Sequence, residues 1–481
     1  MPINKSNYKV FIEHFFRFFL VIFLILNLKG LSCVDFFYTF GFANDIHNGL
    51  TPYVDFNMVI SPLFAWIMAP FAGNTTIFNI FGSIFMASLF AFIMTHIEQH
   101  KVWVWFILVI KVFGLVFFEY NIAMISTLII SFIFLLEYLE NHDQRNIFFT
   151  ALLLSISLLM KHSVPAIVII LLTPIILVDC MKRKKYEDFG AYAVGGIIPV
   201  AIVCLIAIIG GFWYDMLDIT LLGISDFVTF NNFHPTFALV AVLFAFALIV
   251  FVVNAIKTKS LKSIVTIVYL LGIPVMVIMQ DLFHNIYGML YILSIYAIAI
   301  RHSNWVYVPN EDWMFSKPNK NQIFYWASSI FIAFCTLTMS IPYAQDFSNQ
   351  MQEEKYELNS NILRGNDYNQ VIYELVTETD KYMKEHDSEK IVVVSEISKV
   401  ISLYQNNHHG PLDLIVKGNG GPNETTRVID ALHKYDKVIV IPYNSFAVNE
   451  EIYEYIEENF EVCDTLTMFN TEYKVYEVGE R

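Results

Sequence analysis

The chain has 481 residues, of which 56% are hydrophobic and only 15% charged. Charged residues supply roughly a quarter of an ordinary soluble globule, so the composition excludes disorder and points to a multi-pass membrane protein. The formal charge of −14 is concentrated: residues 344–481 hold 26 acidic and 12 basic groups, and residues 1–343 hold 18 of each. A neutral apolar body with an acidic polar tail implies two domains.

The first apolar run, 15–33, follows Lys5, Lys9 and Arg17 and lacks a small-residue cleavage pattern before Asp35. It reads as an uncleaved anchor rather than a signal peptide. A polar loop, 34–75, comes next. Asp35, Tyr38 and Phe42 share one helical face with Asp45 flanking it, and Asn48-Gly49 ends that helix with glycine in the left-handed cap. Thr51-Pro52-Tyr53 forces an extended turn. Ser61 then reads as an N-cap with Pro62 at the first helical position, and the short PLFAWIMAPFAG stretch suits a helix lying at the water boundary.

Further apolar runs fall near 76–96, 102–118, 121–139, 146–160, 163–179, 191–211, 235–256, 263–280, 286–300 and 323–342, giving eleven candidate spans. Lysine and arginine bias sets the orientation. With the N-terminus inside, the inner loops carry Lys101, Arg145, the MKRKK run at 181–185, the KTKSLK run at 257–262, and Arg301 with Lys317 and Lys320. These bases read as topology signals and require no nucleic-acid partner. The tail then lies outside.

After Tyr343 the pattern becomes a soluble α/β alternation, with a helical stalk expected at 344–388 and an extracytoplasmic α/β domain at 389–481. EKIVVVS at 389–395 and DKVIVIPY at 436–443 read as strands, NETTRVIDALHKY at 423–435 and EEIYEYIEENF at 450–460 as helices, and EVCDTLTMF with EYKVYEV as a closing hairpin. The glycine-rich 416–423 segment lacks a phosphate-loop ending and reads as a turn. His408 and His409 read as exposed loop histidines. The five cysteines offer neither a disulfide framework nor zinc spacing.

The order of a span, Asp35, Tyr38, then Gly49-x-x-Pro52-Tyr53-x-Asp55-Phe56 and a Pro62-led helix resembles the GT-C class of integral membrane glycosyltransferases. The likeness is to the protein O-mannosyltransferase-like and lipid A aminoarabinose transferase-like branches, in a bacterial surface-polysaccharide setting. Tyr120-Asn121, Lys161-His162 and Gln280-Asp281-Leu282-Phe283-His284 add to it. One departure is Phe36, where many relatives have glutamate after the aspartate. The resemblance covers residues 15–342. It implies transfer of a sugar from a polyprenyl-phosphate carrier to a glycan, lipid or protein acceptor on the outer membrane face.

A phosphodiester leaving group is a weak base and needs no protonation, so one carboxylate suffices as general base. A single displacement then inverts the anomeric centre. The resemblance assigns that base to Asp35, with Asp45 and Asp55 as alternatives that orient sugar or acceptor. Tyr38 and Tyr53 would stack on or hydrogen-bond a sugar, and Asp281 with His284 would edge the sugar site. Lys161, with His162, is the first choice for the departing phosphate. Lys29 and Lys111 are the other phosphate candidates, although Lys29 also suits snorkelling and Lys111 also suits pairing with Glu119. No metal ligand set is required, and a divalent cation bridging Asp35 and phosphate is compatible with the loop. Two other classes compete: a transporter or flippase of lipid-linked saccharide, for which no internal repeat is found, and a scaffold acting through its tail.

Overall fold

The computed structural model describes residues 5–28, 34–58, 60–97, 118–222, 236–274, 282–302, 354–415, 421–442 and 449–479, with isolated helical positions between 327 and 352. All but the last residue of the candidate span at 102–118, most of the one at 323–342, Lys29, Lys111 and Asp281 lie outside the described residues, as do the side chains of Asp35 and His284. The first helices are α1 (Lys5–Leu28), α2 (Val34–His47), α3 (Leu63–Met68) and α4 (Thr75–Ile97). They are followed by α5 (Tyr120–Asn141), α6 (Gln144–Met160), α7 (Ser163–Arg183), α8 (Tyr186–Ile209) and the short α9 (Trp213–Leu217). The last of the apolar part are α10 (Thr236–Thr258), α11 (Leu261–Leu270) and α12 (Leu282–Arg301).

Among the described residues five helices are long and apolar enough to cross a membrane: α4, α5, α7, α8 and α10. Burial separates their roles. Protein covers 89% of the apolar window of α5 but 22% of that of α8 and 33% of those of α7 and α10. Helix α5 is therefore the central post, and the other three present apolar faces outward. Helix α6 packs along both α5 and α8. Gly195 makes the second contact possible, because a Cβ there would stand 2.4 Å from the carbonyl oxygen of Phe148.

Basic residues expected as inner topology signals also tie helix ends together. Arg183, in the last turn of α7, pairs with Asp179 at 2.8 Å and Asp188 at 3.4 Å, and donates to the Tyr138 hydroxyl of α5. Lys262, at the start of α11, pairs with Glu140 at 2.7 Å, and His302 Nδ1 lies 2.9 Å from the same carboxylate. A cation at the C-terminal end of α7 also complements the helix dipole.

The acidic part holds a four-stranded sheet in the order β3 (Ile391–Val394), β4 (Lys437–Val440), β6 (Thr471–Glu477), β5 (Glu461–Met468). Strands β3 and β4 run parallel with Ile391 opposite Lys437, and β4–β6 and β5–β6 are antiparallel. The parallel pair requires a helical crossover, which α14 (Ser398–Gln405) and α15 (Glu424–Leu432) provide. On one face Val392, Val394 and Val438 pack with Val428 of α15 and with Ile452 and Ile456 of α16 (Glu450–Asn459). From residue 354, the segment expected as a stalk holds a two-stranded ribbon, β1 (Tyr356–Glu357) with β2 (Asp367–Tyr368), and α13 (Gln370–Glu385). Ile372, Leu375 and Val376 of α13 are fully buried, in the same core as Val393.

That core is continuous with the apolar bundle. Phe36 and Phe40 of α2, Phe78 of α4, and Leu363, Tyr368 and Val400 belong to one buried cluster. Polar contacts reinforce it: Thr75 N–H donates to Ile362 O at 2.8 Å, and the Thr75 and Thr76 hydroxyls donate to Arg364 O at 2.8 and 2.9 Å. Overpacking where two backbones meet costs about 1–3 kcal/mol, so Gly195→Leu is expected to lower the thermal unfolding midpoint in detergent. A midpoint equal to that of the wild type would show that α6 and α8 do not touch there.

Candidate functional site

Helix α2 follows the first apolar helix directly and carries Asp35 in its opening turn. Its third turn ends as expected, with Gly49 in the left-handed region at φ +87°. The next turn is tighter than the sequence predicts. Tyr53, at φ +69°, is left-handed rather than extended, so its N–H reaches Phe56 O at 3.0 Å and its ring turns inward. The buried hydroxyl of Tyr53 then donates to Ile60 O at 2.7 Å, and the ring stacks on Phe212. Asp55 stays exposed and accepts from Thr51 N–H at 2.7 Å, which closes the same turn. Ser61 does not cap a helix. Its hydroxyl reaches Leu158 O at 3.5 Å, and α3 starts after Pro62.

The third turn of α2 enters a buried charge cluster. Asp45 is 1% exposed, and Lys399 Nζ of α14 donates to both of its carboxylate oxygens at 2.8 and 2.6 Å. The same ammonium reaches Asp413 Oδ2 at 3.2 Å, and His408 Nδ1 lies 2.6 Å from Asp45 Oδ1. Lys399 approaches across Gly41, where a Cβ would stand only 2.4 Å from Lys399 Cε. Burial alone would push the Lys399 ammonium down. Asp413 and Asp45 outweigh it and hold the group above the ordinary lysine value. Two turns earlier on α2, the Tyr38 hydroxyl donates to the backbone carbonyl of Glu396, whose carboxylate accepts from Tyr453 OH at 3.1 Å. Asp45 and Tyr38, both expected at a sugar site, are therefore held by the sheet part of the chain.

The histidines of this loop are not the exposed pair that the sequence suggests. His409 is buried, its Nδ1 3.0 Å from Tyr435 OH, and burial pushes its pKa down. Only His408 reaches solvent, at the rim of the cluster.

A second polar group borders the same loop. Lys161 leaves α6 in extended backbone and its Nζ donates to Asn121 Oδ1 at 2.7 Å, while Asn121 Nδ2 donates to the Glu119 carboxylate at 3.1 Å. The ammonium also lies 5.4 Å from the centre of the Tyr120 ring, which meets Phe64 of α3 edge-on. His162 is pushed down to about 4, first by burial and then by the neighbouring Lys161 charge, so it is neutral at pH 7. Its Nδ1 is buried with no hydrogen-bond partner among the described residues. Lys161 thus meets the first loop through Tyr120 and Phe64. No group of three metal-ligating side chains occurs among the described residues.

Lys399, Asp413 and Gly41 escaped the sequence reading. The one hint was Gly41 itself: glycine inside a helix costs about 0.5–1 kcal/mol relative to alanine, which asks for a close neighbour.

Comparison with known proteins finds no family model that matches the chain and no similar curated protein.

Removing one partner from a buried ion pair leaves an uncompensated charge and costs about 3–5 kcal/mol. Lys399→Met and Asp45→Ala are each expected to lower stability in this range, and the double variant by less than the sum. Chemical denaturation of the four species measures the cycle, and strict additivity would show that the two groups do not interact.

Proposed function

We propose that the chain is a membrane glycosyltransferase that moves a sugar from a polyprenyl-phosphate carrier to an acceptor hydroxyl on the outer membrane face. The single observation behind this reading is the meeting of Lys161, Asn121 and Tyr120 with the loop that opens on Asp35. A cation with polar support, packed through Tyr120 and Phe64 against the loop whose first helix carries Asp35, would supply with that carboxylate the two electrostatic elements such a transfer needs.

In this reading the sheet domain is extracytoplasmic, the N-terminus cytoplasmic, and the bundle has eleven spans. The acceptor hydroxyl approaches the anomeric carbon while the Asp35 carboxylate takes its proton. The anomeric carbon–oxygen bond of the phosphodiester donor breaks, and the polyprenyl phosphate, now a monoester, leaves as an anion stabilised by Lys161. Neutral His162 donates or accepts one hydrogen bond at the same place. Attack opposite the leaving group inverts the anomeric configuration. Tyr53, Tyr38 and Asp45 hold the loop in shape, and Asp55, which faces solvent, is left to meet the acceptor. Asp281 and His284 remain proposed for the sugar.

Loss of a general base costs about 10²–10⁴-fold, so Asp35→Asn is expected to retain membrane insertion and lose transfer to that extent. Losing a charged hydrogen-bond partner costs about 1.5–3 kcal/mol, so Lys161→Met should slow transfer by roughly 10–100-fold. The measurement uses purified protein in lipid nanodiscs with polyprenyl phosphates carrying radiolabelled glucose, galactose, mannose or N-acetylglucosamine. Wild-type transfer rates in Asp35→Asn would remove Asp35 from the mechanism.

A further inference from the structure

We propose that Lys399 is a positioning residue for this reaction, holding α2 in the place that presents Asp35. The inference rests on the glycosyl-transfer reading for its chemistry and on geometry for everything else. Helix α2 is one continuous helix from Val34 to His47, so displacement at its third turn is passed to its first. Beside the contacts of Asn44 with Ala72 O and His47 with Ala69 O, two polar anchors come from a single short stretch after β3. The Glu396 carbonyl accepts from Tyr38, and Lys399 grips Asp45. Gly41 lies between these anchors and lets the lysine stem lie flat on the helix. The sheet domain therefore fixes α2 through the segment 396–399.

His408 closes the cluster at its rim, its Nδ1 2.6 Å from Asp45 Oδ1 and its Nε2 3.3 Å from Asn48 Nδ2.

The test compares wild type, Lys399→Met, His408→Gln and Asp35→Asn as full-length protein in nanodiscs with the donors named above. Steady-state transfer is followed together with amide hydrogen exchange. Misplacement of a reacting group by about 1 Å can cost about 10²-fold. Lys399→Met is accordingly expected to lower kcat by about that factor while KM for the donor stays near wild type. Exchange across 34–47 should quicken while 120–141 is unchanged. His408→Gln, which removes the rim contact to Asp45, should lower kcat and quicken exchange across 34–47 by less than Lys399→Met does, with KM again near wild type, a split that a merely structural residue would not give.

Unchanged exchange across 34–47 with unchanged kcat in Lys399→Met would overturn the inference, as would an effect on KM alone. If Lys399→Met does not insert, His408→Gln decides: unchanged kcat with unchanged exchange across 34–47 overturns the inference, and lowered kcat with quickened exchange supports it. If no donor is used, or Asp35→Asn transfers normally, the glycosyl-transfer reading fails instead. Exchange across 34–47 in Lys399→Met then decides whether Lys399 positions α2.

Discussion

One lysine, buried between carboxylates contributed by opposite ends of the chain, sets the relation between the apolar bundle and the acidic sheet. Lys399 is 2% exposed and reaches Asp45, 354 residues away in sequence. Taking two or three charges out of water is costly unless geometry and hydrogen bonds are good, and hydrophobic side chains of similar volume would hold two surfaces together at least as well. A buried ion pair gives register: it is satisfied in one placement of α14 on α2 and leaves bare charges in any other. The neighbouring contacts of Tyr38, Thr75, Thr76 and Phe37 act in the same register, since each pairs a residue of the first loop or α4 with one beyond residue 360.

The two ends of the bundle are built differently. At the end of Arg183 and Lys262, ion pairs join adjacent helix ends and serve the bundle itself. At the end of the first loop, polar side chains either support the Tyr53 turn, join the sheet, or gather around Lys161. Polar investment at this second end goes beyond what helix packing requires, and it is concentrated around the helix that begins at Val34.

Much of the element pattern is legible because it depends on local periodicity. The apolar runs at 121–139 and 163–179 lie inside α5 and α7, and the runs at 389–395 and 436–443 contain β3 and β4. Side-chain destinations were less legible. Tyr53 reads as a sugar platform, yet its φ of +69° turns the hydroxyl onto Ile60. Ser61-Pro62 has the composition of a helix start, but Leu158 offers the serine a carbonyl from another helix. Lys399 looks like any solvated lysine in an acidic tail, and no spacing rule links it to Asp45. His409 looked exposed because neither its burial nor its contact with Tyr435 leaves a trace in the local sequence. Long-range pairing decided each of these, and a single sequence carries no record of it.

The arrangement has meaning for catalysis only if the carboxylate at the start of α2 and the ammonium at the end of α6 serve one chamber. A structure determined with a bound polyprenyl phosphate tests this most directly. The phosphate is expected beside Lys161, with the Asp35 carboxylate facing the same cavity. A phosphate seated elsewhere, or Asp35 directed into lipid away from any cleft between the helices, would contradict it.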